Sequence, residues 1–462
     1  MSRRPKPPGK LGMLPLVAAT FFMVSGGPYG IEDILGGAGY LRAIVILAVL
    51  PVIWSLPTAL MIGELASAIP AEGGFYVWVR RALGPFWGYQ ESWLSLAASI
   101  FDMALYPAIF ALYLGMLSPA LCAGWRGYAW SLSVVILCSL WNLLGAPEVG
   151  KDSVWMSALL LAPFAALVIL GFVRGAAVHP TSVWSHAGSA TALSTAILVA
   201  MWNYMGWDNA STVAQEVEDP QRNYPRAMIA TTLITAVSYI LPLLAIAVAG
   251  LPASSFATGD WSTAAAALGG RVLGLAVVAG GCITGIGMFN ALVMSYTRLP
   301  MVMAEDGLLP RAFTKRNGRG APWVSILVCG LAWALALKLP FERLISMDLI
   351  LYGSSLLLEF VALVVLRLRE PALPRPFRAG NFAFACLLGT CPAVLIVYAL
   401  WASRGEVVLG RVPALVFALA VGLLGPLIYW LTSALRTAQA DSGARSGFLP
   451  PEEKVLPDTE IP

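Results

Sequence analysis

Apolar runs of about twenty residues recur from residue 12 to residue 432 of this chain, separated by short polar turns. That length matches the hydrocarbon thickness of a bilayer for a helix, whereas a membrane β-strand would alternate over about ten residues. Inside lipid no water bonds the backbone, so such runs must be helices that satisfy their own N–H and C=O groups. With 58% hydrophobic and only 12% charged residues in 462, and a mean hydropathy of +0.77, the composition lies outside the soluble globular range. An all-α polytopic membrane protein follows. Twelve transmembrane spans are expected, at 12–38, 43–69, 84–116, 127–145, 153–173, 192–213, 226–250, 271–303, 322–339, 345–367, 383–402 and 411–432. The two longest, 84–116 and 271–303, imply steep tilt or extension beyond the bilayer.

The 29 Lys and Arg residues divide 21 to 8 between the two sets of loops, which places both termini in the cytoplasm of a cell membrane. Topology accounts for the net charge of +4 without nucleic acid. The basic start RRPKPPGK lacks a following cleavage site and reads as a retained tail. Six scattered cysteines lack metal spacing, and the two histidines, His179 and His186, share one predicted outer loop. No catalytic order or nucleotide motif is present, and no cofactor or metal is called for, so ion-coupled transport is favoured over an enzyme.

Two of the spans are interrupted. In the first, Ser25-Gly26-Gly27-Pro28 is followed at once by Glu32 and Asp33, and glycine with proline opens a helix. In the sixth, Asn203, Tyr204, Gly206, Trp207, Asp208 and Asn209 fall at the expected midplane. A carboxylate at that depth costs about 2.5–3.5 kcal/mol unless it meets water or a partner. Asp208 is therefore either a ligand contact or a cap on a second half-helix. The interruptions lie five spans apart, and an odd count inverts the second set. Residues 12–173 and 192–367 then form a five-plus-five inverted repeat with broken helices 1 and 6 and substrate at the midplane. Residues 383–432 add two spans, 1–11 form a cytoplasmic tail, and 433–462 form a disordered one.

Three patterns carry a resemblance. They are Glu64-Leu65-Ala66-Ser67-Ala68-Ile69-Pro70 with Glu72-Gly73-Gly74-Phe75-Tyr76-Val77-Trp78, then Gly206 and Asp208 followed by Glu216, Pro220, Arg222 and Pro225, and Ser25-Gly26-Gly27. With these the chain resembles the amino acid, polyamine and organocation transporters over most of its length. Val24 to Asp33, Gly84 to Glu91, Asp102 to Pro107 and Trp207 to Thr212 are similar to the polyamine uptake transporters of plants and trypanosomatid protozoa. The resemblance implies a proton-coupled importer of polyamines or related cationic amines. An amino acid permease is the alternative, and a transporter-like sensor is a third reading. Relatives use the Ser25-Gly26-Gly27 position to receive a carboxylate or to approach the substrate backbone-first. Some proton-coupled amino acid relatives carry a lysine inside span five, but here only Lys151 precedes it.

An amino acid would suit the N–H groups of a half-helix, whereas a polyamine needs carboxylates, carbonyls and aromatic faces. Near the expected cavity stand Glu32, Asp33, Asp102 and Asp208, with Tyr106, Tyr204, Trp202 and Trp207, and no basic residue in the same spans. Ser25, Gly26, Gly27, Glu32, Asp33, Asp102, Tyr106, Tyr204, Trp207 and Asp208 are the substrate-binding candidates. Glu32 and Asp33 also read as solvated caps of span one. Glu64 and Asp102, lone carboxylates within spans, are the proton-coupling candidates, with hydrogen bonding to a loop the other account of Glu64. Glu216 and Glu218 with Arg222 and Arg226 suggest a cytoplasmic gate or an anchor. Glu359 is not placed. The partners are thus a small amine or amino acid, protons and lipid, with the number of copies left open, a monomer included.

Overall fold

The computed structural model describes residues 10–175, 190–253, 256–338, 344–408 and 412–445. His179, His186, the first nine residues and 446–462 lie outside them. Nearly everything described is helical. In order these are α1 (Met13–Val24), α2 (Glu32–Leu50), α3 (Leu56–Ala68), α4 (Phe75–Leu83), α5 (Pro85–Leu117), the short α6 (Pro119–Cys122), α7 (Trp125–Asn142), α8 (Ala146–Gly175) and α9 (Ala190–Asn203). Then come α10 (Pro220–Val248), α11 (Trp261–Tyr296), α12 (Arg298–Glu305), α13 (Trp323–Ala336), α14 (Leu344–Arg369), α15 (Phe382–Leu388), α16 (Thr390–Ala402) and α17 (Ala414–Arg445). A two-stranded antiparallel ribbon, β1 (Val407–Val408) and β2 (Val412–Pro413), precedes α17. Eight helical stretches are long and apolar enough to cross a bilayer, and α1 and α13 are shorter apolar helices. The protein is a polytopic membrane protein.

Several predicted boundaries move for local reasons. Gly39, at φ 76°, lets the chain turn from the first predicted span into the second inside α2, where a loop was expected. Pro51 opens a π-type turn, Pro51–Ser55, before α3. α11 begins at Trp261 rather than 271 and bends at Gly270. α17 continues to Arg445, so residues 433–445, assigned from sequence to a disordered tail, are helical.

The centre of the molecule is α5, packed against α11 and α14, with α11 also against α8 and α1. Arg80, Arg81, Arg298, Arg316, Arg367 and Arg375 form ion pairs, and we call the side they hold the basic face. There Arg81 binds Glu370 in a bidentate pair, and Arg80 reaches Asp306 at 2.6 Å. A deeper pair ties α3 to α14. Glu64, fully buried, takes Arg367 through both carboxylate oxygens, Arg375 at 3.3 Å and the Ala379 N–H at 2.8 Å. Arg367 spends its remaining donors on the carbonyls of Ala379, Gly380 and Asn381. The carboxylate that looked unpartnered along the sequence is thus neutralised by groups some three hundred residues away, as the sequence separation of 303 records.

Removing one member of a buried pair strands the other charge, at about 3–5 kcal/mol. Glu64→Ala is therefore expected to lower the thermal unfolding midpoint of detergent-solubilised protein sharply. An unchanged midpoint would remove this pair from the stabilising framework.

Candidate functional site

The break after α1 frees backbone groups, and several of them find side-chain partners. The Gly26 carbonyl accepts from Thr284 Oγ1 at 2.7 Å, the Pro28 carbonyl from Trp261 Nε1 at 2.7 Å, and the Gly30 carbonyl from Asn203 Nδ2 at 3.5 Å. On the donor side, the Gly26 N–H bonds the Phe21 carbonyl, the Gly27 N–H bonds Ser25 Oγ and the Gly30 N–H bonds Glu32 Oε2. The loop is closed upon itself and upon α9 and α11. Its amides at Gly26 and Gly27 already have acceptors.

The second break follows α9. Instead of a half-helix, Asp208–Thr212 and Ala214–Glu216 form two 3₁₀ turns. Polar side chains in this stretch compete for the helix's own bonds: Ser295 Oγ donates to Asn209 Oδ1 and Thr212 Oγ1 donates to the Asn209 carbonyl. The Gly73 N–H takes the Thr212 carbonyl, which ties the turn to the start of α4. At the break itself the Tyr352 hydroxyl accepts from the Gly206 N–H at 2.9 Å and donates to Asp208 Oδ1 at 2.6 Å. Gly206, at φ 90°, lets the two breaks meet, since a Cβ there would sit 2.5 Å from the Met23 carbonyl.

Between the breaks lies a narrow cavity of about 10 Å³, with room for about one water molecule. Ser25, Asp102, Tyr106, Trp202, Gly206 and Tyr352 are among its walls. Tyr106 donates to Asp102 Oδ1 and stacks on Trp202 at 6.3 Å between ring centroids. Asp208 joins this group through Tyr352. The other sequence candidates stand elsewhere. Tyr204 turns its hydroxyl to the Leu47 carbonyl, and Trp207 bonds the Tyr204 carbonyl. Gly26 and Gly27 shape the loop without lining the cavity.

Glu32 and Asp33 follow the first break and bond the segment at Thr258 and Gly259. Glu32 is buried, not a solvated cap, and accepts from Tyr113 and from the Gly259 N–H. Asp33 is exposed and accepts from Thr258 through both oxygens. On the basic face, Arg298 binds Glu216 and lies 3.6 Å from Glu72, which also holds Arg316 at 2.8 Å. Burial pushes the Glu72 carboxyl above its ordinary value, against the pull of Arg298 and Arg316. Glu216 therefore pairs with Arg298 rather than with the neighbouring Arg222 or Arg226 expected from sequence. Leu11 adds two backbone bonds, donating to the Glu216 carbonyl and accepting from the Glu218 N–H.

A sequence profile described as amino acid permease matches residues 17–423. The chain belongs to that family. Among curated proteins, this permease is 35% identical over 391 residues to a probable polyamine transporter of Arabidopsis thaliana, covering 84% of this chain and 78% of that protein. It is 34% identical over 424 residues to Polyamine transporter PUT1 of Oryza sativa subsp. japonica, covering 88% and 78%. More distantly, it is 25% identical over 390 residues to Serine/threonine exchanger SteT of Bacillus subtilis, covering 82% and 86%.

Three buried carboxylates of the permease escaped the sequence reading as site residues: Asp348, Glu359 and Glu91. Asp348 lies within electrostatic reach of Asp102 and Asp208, and Glu359 within reach of Asp208 and Glu91. A signal was present, because positions 348, 352, 355 and 359 follow helical spacing on one face of α14. Among the described residues, no ion pair reaches any of Glu91, Asp102, Asp208, Asp348 or Glu359.

Substituting Gly206 tests the contact between the breaks. Gly206→Ala is expected to destabilise the protein well beyond Gly307→Ala, which has a similar φ of 73° but open space around it. Equal losses of thermal midpoint for the two variants would show that only the backbone angle matters.

Proposed function

We propose that this permease is a proton-coupled symporter that imports polyamines or related cationic amines across the cell membrane. In this reading twelve spans form two inverted repeats of five, 12–173 and 192–367, with two added spans at 383–432 and both termini in the cytoplasm. The observation that carries it is the group of buried carboxylates Asp102, Asp208 and Asp348, which have no basic partner among the described residues. Uncompensated charge in an apolar interior is costly, and a substrate with several ammonium groups supplies the compensation. The plant relatives named polyamine transporters support the same assignment.

Asp102 and Asp208 hold ammonium groups in the proposed cycle, and Tyr106 and Trp202 cover methylenes with their ring faces. Ser25 contributes its backbone at the cavity wall. Glu32 and Asp33 meet the amine first, once their bonds to the 256–260 loop are released. Asp102 serves as a proton carrier, while Glu64, held by two guanidinium groups, is left out of that role. An amino acid substrate would need free amides for its carboxylate, and those at Gly26 and Gly27 are engaged. The chain's likeness to an exchanger of serine and threonine keeps that class as the competing outcome.

Reconstituted in proteoliposomes under an imposed pH gradient, the protein is expected to accumulate radiolabelled putrescine or spermidine. Asp102→Asn should abolish that accumulation. Uptake of leucine, serine or arginine with none of either amine would make it an amino acid permease instead.

A further inference from the structure

We propose that Glu91 and Glu359 form a proton-binding site of this transporter, separate from the carboxylates that hold the amine and set closer to the basic face. The inference rests on the symport reading given above and adds a second proton site to the carrier at Asp102.

Helices α5 and α14 run antiparallel, and their register is fixed where Ser95 Oγ meets Ser355 Oγ at 3.3 Å. Counting from that contact, Asp102 and Asp348 lie seven residues away on one side, beside the chamber. Glu91 and Glu359 lie four residues away on the other, about 6 Å along the axis at 1.5 Å per residue. The two glutamates therefore face each other across the same seam, one layer below the cavity. Both are fully buried, and neither lines the cavity.

Their surroundings leave one charge-compensating ligand. Both carboxylate oxygens of Glu359 lack a hydrogen-bond partner, while Glu91 accepts from Ser92 at 3.3 Å and Ser95 at 3.1 Å. The charged group facing them from the second break is Asp208, and Tyr352 of α14 and Tyr76 of α4 present phenols. Nearby cations are committed elsewhere. Arg80 holds Asp306, Arg81 holds Glu370, and Arg367, two turns further along α14, holds Glu64. From α17, Tyr429 packs its ring on Tyr89. Two adjacent carboxylates in such a place cannot both stay ionised, and a proton is the one cation that needs no cavity. Protonation converts one carboxylate to a neutral acid whose O–H donates to the other. Loss of that proton leaves two anions that repel across the seam and draw in water, opening α5 from α14.

A route to the chamber is in place. Hydroxyls step from Glu91 through Ser95 to Ser355, one turn from Tyr352, whose phenol bonds Asp208. The proton site and the amine site thus share a helix interface and one electrostatic neighbour. Occupancy of the proton site determines whether the seam can close over the amine.

The test uses the full-length protein in proteoliposomes. Glu359→Gln copies the neutral acid in shape and is expected to keep counterflow exchange of labelled spermidine near the parental rate. It should lose uphill accumulation driven by a pH gradient. Glu91→Gln is the second variant and should behave alike, which guards against misfolding of either one. Accumulation at the parental level by both variants would overturn the site, as would parallel loss of exchange and accumulation, which marks an amine-holding or structural role. A parent protein that takes up no amine fails differently, because it removes the symport reading itself and the site with it.

Discussion

A backbone opened inside hydrocarbon must find a partner for every group it frees, and this molecule is arranged around meeting that demand twice. Thr284, Trp261 and Asn203 come from α11 and α9 to cap the carbonyls of the first break. Tyr352 comes from α14 to take the freed amide of the second. Because the partners belong to different helices, the breaks fix how those helices pack. Altering one break would unsatisfy groups on several elements at once. The cavity follows from this arrangement, since polar side chains must converge wherever the ladder of helical bonds stops.

The same convergence sets the charge of the site. Carboxylates at Asp102, Asp208 and Asp348 gather near phenol and indole groups, while Arg298 and Arg367 are paired with Glu216 and Glu64 on the basic face. Separation of this kind is expensive for a protein that merely needs to be stable, because apolar residues of similar volume would often serve better. It makes sense when a cation arrives from outside to complete the balance. The relatives named polyamine transporters fit that account.

Much of this was legible along the chain. The interruptions announced themselves through Ser25-Gly26-Gly27-Pro28 and through polar residues at the midplane of span six. Asp102, Tyr106 and Asp208 could be picked out because each stands in an apolar run without a nearby basic residue. What lay hidden depended on distant pairing. Glu64 looked as solitary as Asp102, yet its partners Arg367 and Arg375 arrive from α14 and the segment after it. Glu91 and Glu359 each read as isolated acids, and only the antiparallel register of α5 and α14 brings them together. The two 3₁₀ turns after Asp208 were missed because their bonds to α4 and α11 outweigh the local preference for a helix.

Leu11 has a further consequence. Its exchange of two backbone bonds with Glu216 and Glu218 makes the start of the chain a clasp across the basic face. Two such bonds contribute about 1–3 kcal/mol together, enough to shift an open-to-closed ratio by roughly 5- to 150-fold. Leu11, just before α1, is thereby tied to the segment that follows the second break, so the basic face is held there by backbone as well as by ion pairs.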